Sequence, residues 1–132
     1  MATDLYRLLY YSDTAAGLER ADVEDILRQA AERNARVGIS GALAWDGMHF
    51  VQILEGHRIA VADLLARLFR DPRHRNLVVC DMRRIRRRQF ESWSMADLSG
   101  KGVFANFSGF QPYACTATEL LRHLVLALDK VG

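Results

Sequence analysis

The sequence predicts an α+β sandwich: a mixed five-stranded sheet, two helices on one face and a C-terminal helical extension. Three observations carry this. Short aliphatic and aromatic runs alternate with two amphipathic segments in the order strand, helix, strand, strand, helix, strand. An Asp46-Gly47 dipeptide splits one long β-prone stretch in two. A last apolar stripe follows a region poor in both helix and strand signals.

Composition agrees with one globular domain. The 132 residues are 50% hydrophobic and 26% charged, enough apolar mass for a core without disulfides or a structural metal. Lys+Arg 18 against Asp+Glu 16 leaves a formal charge of +2, which argues against a nucleic-acid backbone as the main partner. Cys80 and Cys115 form no C-x-x-C pair and no metal cluster, and both read as small buried hydrophobes. No secretory leader and no membrane-length apolar run is visible, so a cytoplasmic protein is expected.

Taken in order, residues 5–11 read as a buried strand, closed by the turn-like Ser12-Asp13. Over 22–34, Val23, Ile26, Leu27, Ala30 and Ala31 follow the spacing of one helical face. Between 37 and 55, Asp46-Gly47 predicts a two-residue type I′ hairpin, which sets Trp45 opposite Met48, Leu43 opposite Phe50 and Gly41 opposite Gln52. A second amphipathic helix carries Val61, Leu64, Leu65, Leu68 and Phe69 on one face and ends at Asp71-Pro72, because proline disfavours helical geometry before it. Residues 77–85 supply strand four. Residues 90–98 read as strand five, with Trp93 and Met95 on one side. The Gly- and Phe-containing stretch 99–115 precedes Thr116-Ala117-Thr118-Glu119, a capping box for a helix to about residue 130. Its stripe of Leu120, Leu121, Leu124, Val125 and Leu128 packs on the sheet or on another subunit. The element order is that of the ferredoxin-like plan, in which strands one and three are neighbours and bring Tyr10 beside Gln52.

Gln52 stands between Phe50 and Leu54 on one face, so its amide is buried and needs partners. A glycine across the hairpin would leave room for a flat ligand; a core glutamine bonded to backbone or to Tyr10 is the alternative. Asn34 either caps the first helix or reaches into the groove between helix and sheet. Tyr10 fits equally as a core aromatic with a satisfied hydroxyl.

Together these residues form a pattern. The blocks Leu8-Leu9-Tyr10-Tyr11-Ser12, Asn34-Ala35-Arg36-Val37-Gly38-Ile39-Ser40-Gly41-Ala42-Leu43, Phe50-Val51-Gln52-Ile53-Leu54-Glu55-Gly56, Arg70-Asp71-Pro72-Arg73-His74 and Trp93-Ser94-Met95 occur in order. Over about residues 5–98 the chain resembles the BLUF domain, a flavin-binding blue-light sensor. The resemblance divides the chain into a photosensor domain, 1–98, and a C-terminal helical extension, 99–132.

The resemblance implies that Tyr10, Asn34 and Gln52 contact the isoalloxazine edge, and that Arg33 matches a more variable position able to reach the C2 carbonyl. Ile26, Leu43, Phe50 and Leu68 are expected against the ring, although core packing explains each as well. His74, with Arg73 and Arg75, is a candidate for the cofactor's phosphates. FAD is the expected cofactor; FMN and riboflavin share the same ring contacts. In the family scheme Tyr10 gives an electron to the excited flavin, its proton passes through Gln52, and recombination leaves the amide rotated or tautomerised. Trp93 and Met95 match a pair proposed to exchange places beside the glutamine, relaying the switch outward.

The short remainder after residue 98 holds no output domain of ordinary size, so the signal is expected to pass through homo-oligomer contacts or a separate effector protein. Five arginines at 83, 84, 86, 87 and 88 suggest a solvated strand end or a site for an acidic partner, with nucleic acid disfavoured. The histidines are scattered and form no nucleophilic constellation, so no enzyme activity and no metal site are expected. The rival reading is a ferredoxin-like module that binds a small ligand or RNA without photochemistry.

Overall fold

The computed structural model describes residues 4–101, 103 and 116–131. Its elements run β1 (Leu5–Thr14), α1 (Arg20–Val37), β2 (Ser40–Trp45), β3 (His49–His57), α2 (Arg58–Arg70), β4 (His74–Arg84), β5 (Ala96–Asp97) and α3 (Ala117–Leu128). The sheet order is β4-β1-β3-β2-β5, antiparallel except for the β2/β5 pair. This is the predicted mixed sheet. β1 lies against β3, and Tyr10 pairs directly with Gln52. Cys115 and most of the stretch 99–115 lie outside the described residues.

Strand alternation divides the core in two. Leu8, Tyr10, Leu43, Phe50 and Leu54 face α1 and α2, where they meet Val23, Val61 and Leu64. Leu9, Ala42, Ala44, Val51 and Ile53 face the other way and pack with Leu120, Leu124 and Ala127 of α3. The C-terminal stripe therefore closes on the sheet of its own chain. Helix α1 starts two residues earlier and ends three later than its apolar periodicity suggests. Glu19 and Asp22 form a capping box at its start, and Gly38, at φ 71°, takes the left-handed C-terminal position. The capping box at Thr116 and Glu119 forms as expected, with Glu119 N donating to Thr116 Oγ1 at 3.1 Å.

The hairpin differs from expectation. Trp45 pairs with Phe50, Leu43 with Gln52 and Gly41 with Leu54, a shift of two residues from a tight I′ turn. The Asp46 carboxylate accepts from the backbone N–H of Met48 at 2.8 Å and of His49 at 2.6 Å, which makes a wider Asx-type loop. Gly47 takes a positive φ of 95° and Asp46 does not, so the I′ geometry is not reached. A shift of two keeps every side chain on its face. Gly41 is consequently not the gap beside Gln52. Its missing side chain makes room for the Ile53 carbonyl, which a Cβ there would strike.

Strand five is also corrected. Only Ala96 and Asp97 are extended, paired with Ala42 and Leu43, while 85–95 is a series of turns. Cys80 is half-buried rather than core, because β4 is an edge strand with Val78, Val79 and Met82 exposed. Among the described residues no helix is long and apolar enough to cross a membrane.

Candidate functional site

An open cleft lies between α1 and α2, floored by β1, β3 and β2, with about 470 Å³ of space in it and its solvent-facing mouth together. All but Arg75 of the residues expected at the cofactor line it: Tyr10 from β1, Leu43 from β2, Phe50 and Gln52 from β3, Ile26, Arg33 and Asn34 from α1, Leu68 from α2, and His74 at the start of β4. Ala30, Leu64, Asp71 and Arg73 complete the wall. Of these, sequence reasoning did not assign Ala30, Leu64 or Asp71 to the site. The signal was present, since Ala30 lies four residues after Ile26 and Leu64 four before Leu68, the spacing of one helical face.

At the floor, the Tyr10 hydroxyl donates to Gln52 Oε1, and Gln52 Nε2 lies 3.7 Å from the Met95 sulfur. Tyr10 is 2% exposed and Gln52 5%, so neither group has water as a ready substitute. Burial pushes the Tyr10 phenol well above its ordinary range, with the Asp71 charge adding to the effect. The glutamine amide is thus bonded to Tyr10, as its alternative reading allowed, and also held against a weak acceptor.

Asn34 does not cap α1. Its Nδ2 donates to the Ser94 carbonyl at 2.9 Å, while its Oδ1 is buried without a partner. The neighbouring Arg33 Nε is likewise buried and unpartnered. Burial lowers the Arg33 guanidinium from its ordinary value, and the charges of Arg67 and Arg73 lower it further against the opposing pull of Asp71. Orphaned buried donors and acceptors each cost about 1–3 kcal/mol, so two in one cleft indicate a polar guest.

His74 joins the wall differently from expectation. Its ring lies 6.1 Å from Tyr10 and 6.3 Å from Phe50, with Nδ1 2.6 Å from Ser12 Oγ and Nε2 2.6 Å from the Leu68 carbonyl. The carbonyl accepts only, so Nε2 carries the proton. Both ring nitrogens are engaged, leaving neither for a phosphate. Arg73 grips Asp71 at 2.7 Å and donates to Gln29 at 3.1 Å. Burial works to raise the Asp71 carboxyl, but the Arg73 hydrogen bonds prevail and hold it below the usual carboxylate range. Arg75 is exposed on the strand edge, outside the lining of this cleft.

Trp93 and Met95 do not share a side. Met95 packs with the cleft-side clusters, and Trp93 packs with the α3-side cluster. The irregular backbone at 91–95 breaks the alternation a strand would impose. The segment is tied down by Gly41 N donating to the Trp93 carbonyl at 3.0 Å, by the Asn34–Ser94 bond, and beyond it by Arg20 on Asp97 at 2.6 Å. Among the described residues no group of three or more His, Cys, Asp or Glu side chains could hold a metal ion.

Comparison with known proteins gives a consistent answer. The family profile described as BLUF, sensors of blue-light using FAD, matches residues 5–96. The photoactivated adenylate cyclase subunit beta of Euglena longa is 35% identical over 108 residues, which is 81% of this chain and 12% of that protein. The blue light- and temperature-regulated antirepressor BluF of Escherichia coli K12 is 33% identical over 63% of this chain and 21% of its own length. The chain therefore spans only a small part of the curated relatives it matches. Among solved structures, the BLUF protein BlrB in its dark state superposes with a TM-score of 0.82 at 32% identity, covering 98% of this chain and 99% of that one. BlsA in its photo-activated state gives a TM-score of 0.82 at 29% identity over 92% and 94% of the two chains. With the family profile covering the sheet and both cleft helices, the chain belongs to the BLUF family of flavin-dependent blue-light sensors.

Proposed function

We propose that this chain is a light switch in which Tyr10 and Gln52 are the photoactive pair, Met95 and Trp93 relay their rearrangement, and a partner protein reads the result. The observation that carries the reading is the contact chain Tyr10–Gln52–Met95 beneath a cleft with orphaned polar atoms. The fit to a flavin rests on donor chemistry. The pyrimidine edge of an oxidised flavin reads acceptor, donor, acceptor across C4=O, N3–H and C2=O. Gln52 Nε2, Asn34 Oδ1 and Arg33 Nε offer donor, acceptor, donor, the complementary set. Ile26, Leu43, Phe50 and Leu68 supply apolar surface for the ring, with His74 completing the wall.

When bound, the flavin would supply a blue-light chromophore strong enough to oxidise a phenol only while excited, and return of the electron to Tyr10 would leave no net redox change. Tyr10 is placed to give up an electron, and its proton has Gln52 Oε1 as immediate acceptor. Rotating the Gln52 amide exchanges its ends. Nε2 then faces the phenol oxygen and Oε1 faces the Met95 sulfur, where two acceptors meet and neither can donate. The loss of that contact is the force on the 93–95 segment.

FAD is the proposed cofactor. The choice follows the family description, sensors of blue-light using FAD. Heat release followed by chromatography is expected to yield FAD, and FMN or riboflavin would overturn that choice. No substrate turnover is proposed. The relatives' names couple light to a cyclase or to antirepression, and we extend that pattern to this chain as control of a separate effector in the cytoplasm. Homo-oligomerisation through the C-terminal region is part of the proposal; light scattering that finds a monomer in both dark and light would remove it.

The deciding experiment is the visible spectrum of the purified protein before and after blue light. A flavin spectrum that shifts red, recovers in darkness and fails to shift in Gln52→Leu supports the reading. Folded, flavin-supplemented protein that stays colourless returns the chain to the binding-module alternative.

A further inference from the structure

Glu55 sits on β3 with no exposed surface, on the α3 side by strand alternation. Arg7 Nη2 is 2.9 Å from its Oε2 and Arg7 Nε donates to the same oxygen at 3.0 Å. The backbone N–H of Gln89 donates to both carboxylate oxygens, at 2.9 and 3.1 Å, and that of Phe90 to Oε1 at 2.9 Å. Next to it, Arg88 Nη1 reaches Ser40 Oγ at 3.0 Å and the Glu55 carbonyl at 3.2 Å. A buried carboxylate this fully satisfied holds its donors firmly, because losing any one leaves an unpaired group in a dry place. Two of those donors, the Gln89 and Phe90 amides, belong to the turn that leads directly into the Trp93–Met95 segment. Residues 93–95 themselves are held more lightly, by one backbone bond from Gly41, one amide bond from Asn34 and a sulfur contact, with the Arg20–Asp97 ion pair beyond them.

We propose that Glu55 is a positioning residue for the light switch, pinning the 89–90 turn as the fixed end of the segment that sets Met95 on the Gln52 amide. The inference rests on the photosensor reading above. An anchored segment returns to its dark position along one path. Released at that end it has more, so the lit state decays faster.

Two measurements test it. In flavin-loaded wild-type protein, amide exchange by NMR in darkness and under continuous blue light is expected to leave Gln89 and Phe90 equally protected. The Gly41 amide, which donates to the Trp93 carbonyl, and the Trp93 amide, which donates from the moving segment back to the Phe90 carbonyl, are expected to exchange at least about fivefold faster in light. Equal acceleration at all four overturns the anchor. The second measurement is dark recovery in Glu55→Gln. That change puts an NH₂ against the N–H donors of Arg7 or Gln89, and recovery is expected to quicken by about fivefold or more with the red shift retained. Adding Arg7→Gln supplies an amide oxygen to that NH₂ and is expected to restore the rate to within about twofold. A purely structural residue would lower the melting temperature and leave the recovery rate alone, which also overturns the proposal. If Glu55→Gln fails to fold, the wild-type exchange pattern decides. A flavin-loaded wild type that does not shift in light sinks the photosensor reading itself; a normal wild-type cycle with unchanged recovery in Glu55→Gln sinks only the anchor.

Discussion

Gln52 and Glu55 are close together on β3 and point to opposite faces of the sheet, and the two faces treat a buried polar side chain in opposite ways. On the α3 face Glu55 is saturated by Arg7 and two backbone amides, buried Ser40 is bonded to Arg88, and the cluster packed beside them is aliphatic and aromatic. On the α1/α2 face Gln52 touches a phenol and a thioether, while Asn34 Oδ1 and Arg33 Nε have no partner. Equal burial therefore means different things. Where the protein satisfies its own polar atoms it builds a scaffold; where it leaves them unsatisfied beside a cleft it has left them for a guest.

The largest expected effect lies on the scaffold side. Leu124→Ala, fully buried beneath the sheet, should cost about 2–5 kcal/mol in denaturant unfolding while leaving the bound flavin's absorption maximum in place. A displaced maximum would break the division between the faces. On the cleft side, Asn34→Leu removes the orphan acceptor and the Ser94 tie. Flavin affinity measured by fluorescence titration should fall about tenfold, or about 1.4 kcal/mol, and a smaller loss of affinity than of apo-protein stability would reassign Asn34 to the scaffold.

Tyr10 gives a pH signature of the same face. Its folded phenol lies above the unfolded value near 10, so folding favours the protonated form. Stability from this group is complete below about pH 10 and declines as pH rises beyond it, by about 1.4 kcal/mol per pH unit at most. Tyr10→Phe should flatten that alkaline limb; an unchanged limb would mean the phenol ionises freely in the fold. The smallest effect is expected of Arg33→Lys, which keeps the charge and deletes the Nε donor. It should weaken flavin by about threefold, against no change if only charge matters.

Much of this was legible in the residues. The helical face of Ile26 and Ala30, and the strand parity of Phe50, Gln52 and Leu54, put those residues on the side where the cleft lies, and Asn34 came from the family resemblance. Strand order brought Tyr10 to Gln52. The hairpin register was not legible, because Asp46-Gly47 permits a I′ turn while the Asp46 carboxylate can instead capture two amides and widen the loop. Trp93 and Met95 were misplaced together for a related reason. Alternation holds only in extended chain, and the segment before Ala96 is held in turns by contacts from Gly41, Asn34 and Glu55. Glu55 itself passed unnoticed, since nothing in its neighbourhood along the chain reveals that its partners are Arg7, Gln89 and Phe90.

By itself the sequence determined which residues face which side, through the 3.6 and 2.0 periodicities that each element carries locally, and the family through blocks that keep their order. Tertiary structure alone decided which buried polar atoms are satisfied. Arg7 reaches Glu55 and Asn34 reaches Ser94 across 48 and 60 positions of chain, and a hydrogen bond needs its two atoms within a fraction of an ångström of one distance, which no local pattern specifies.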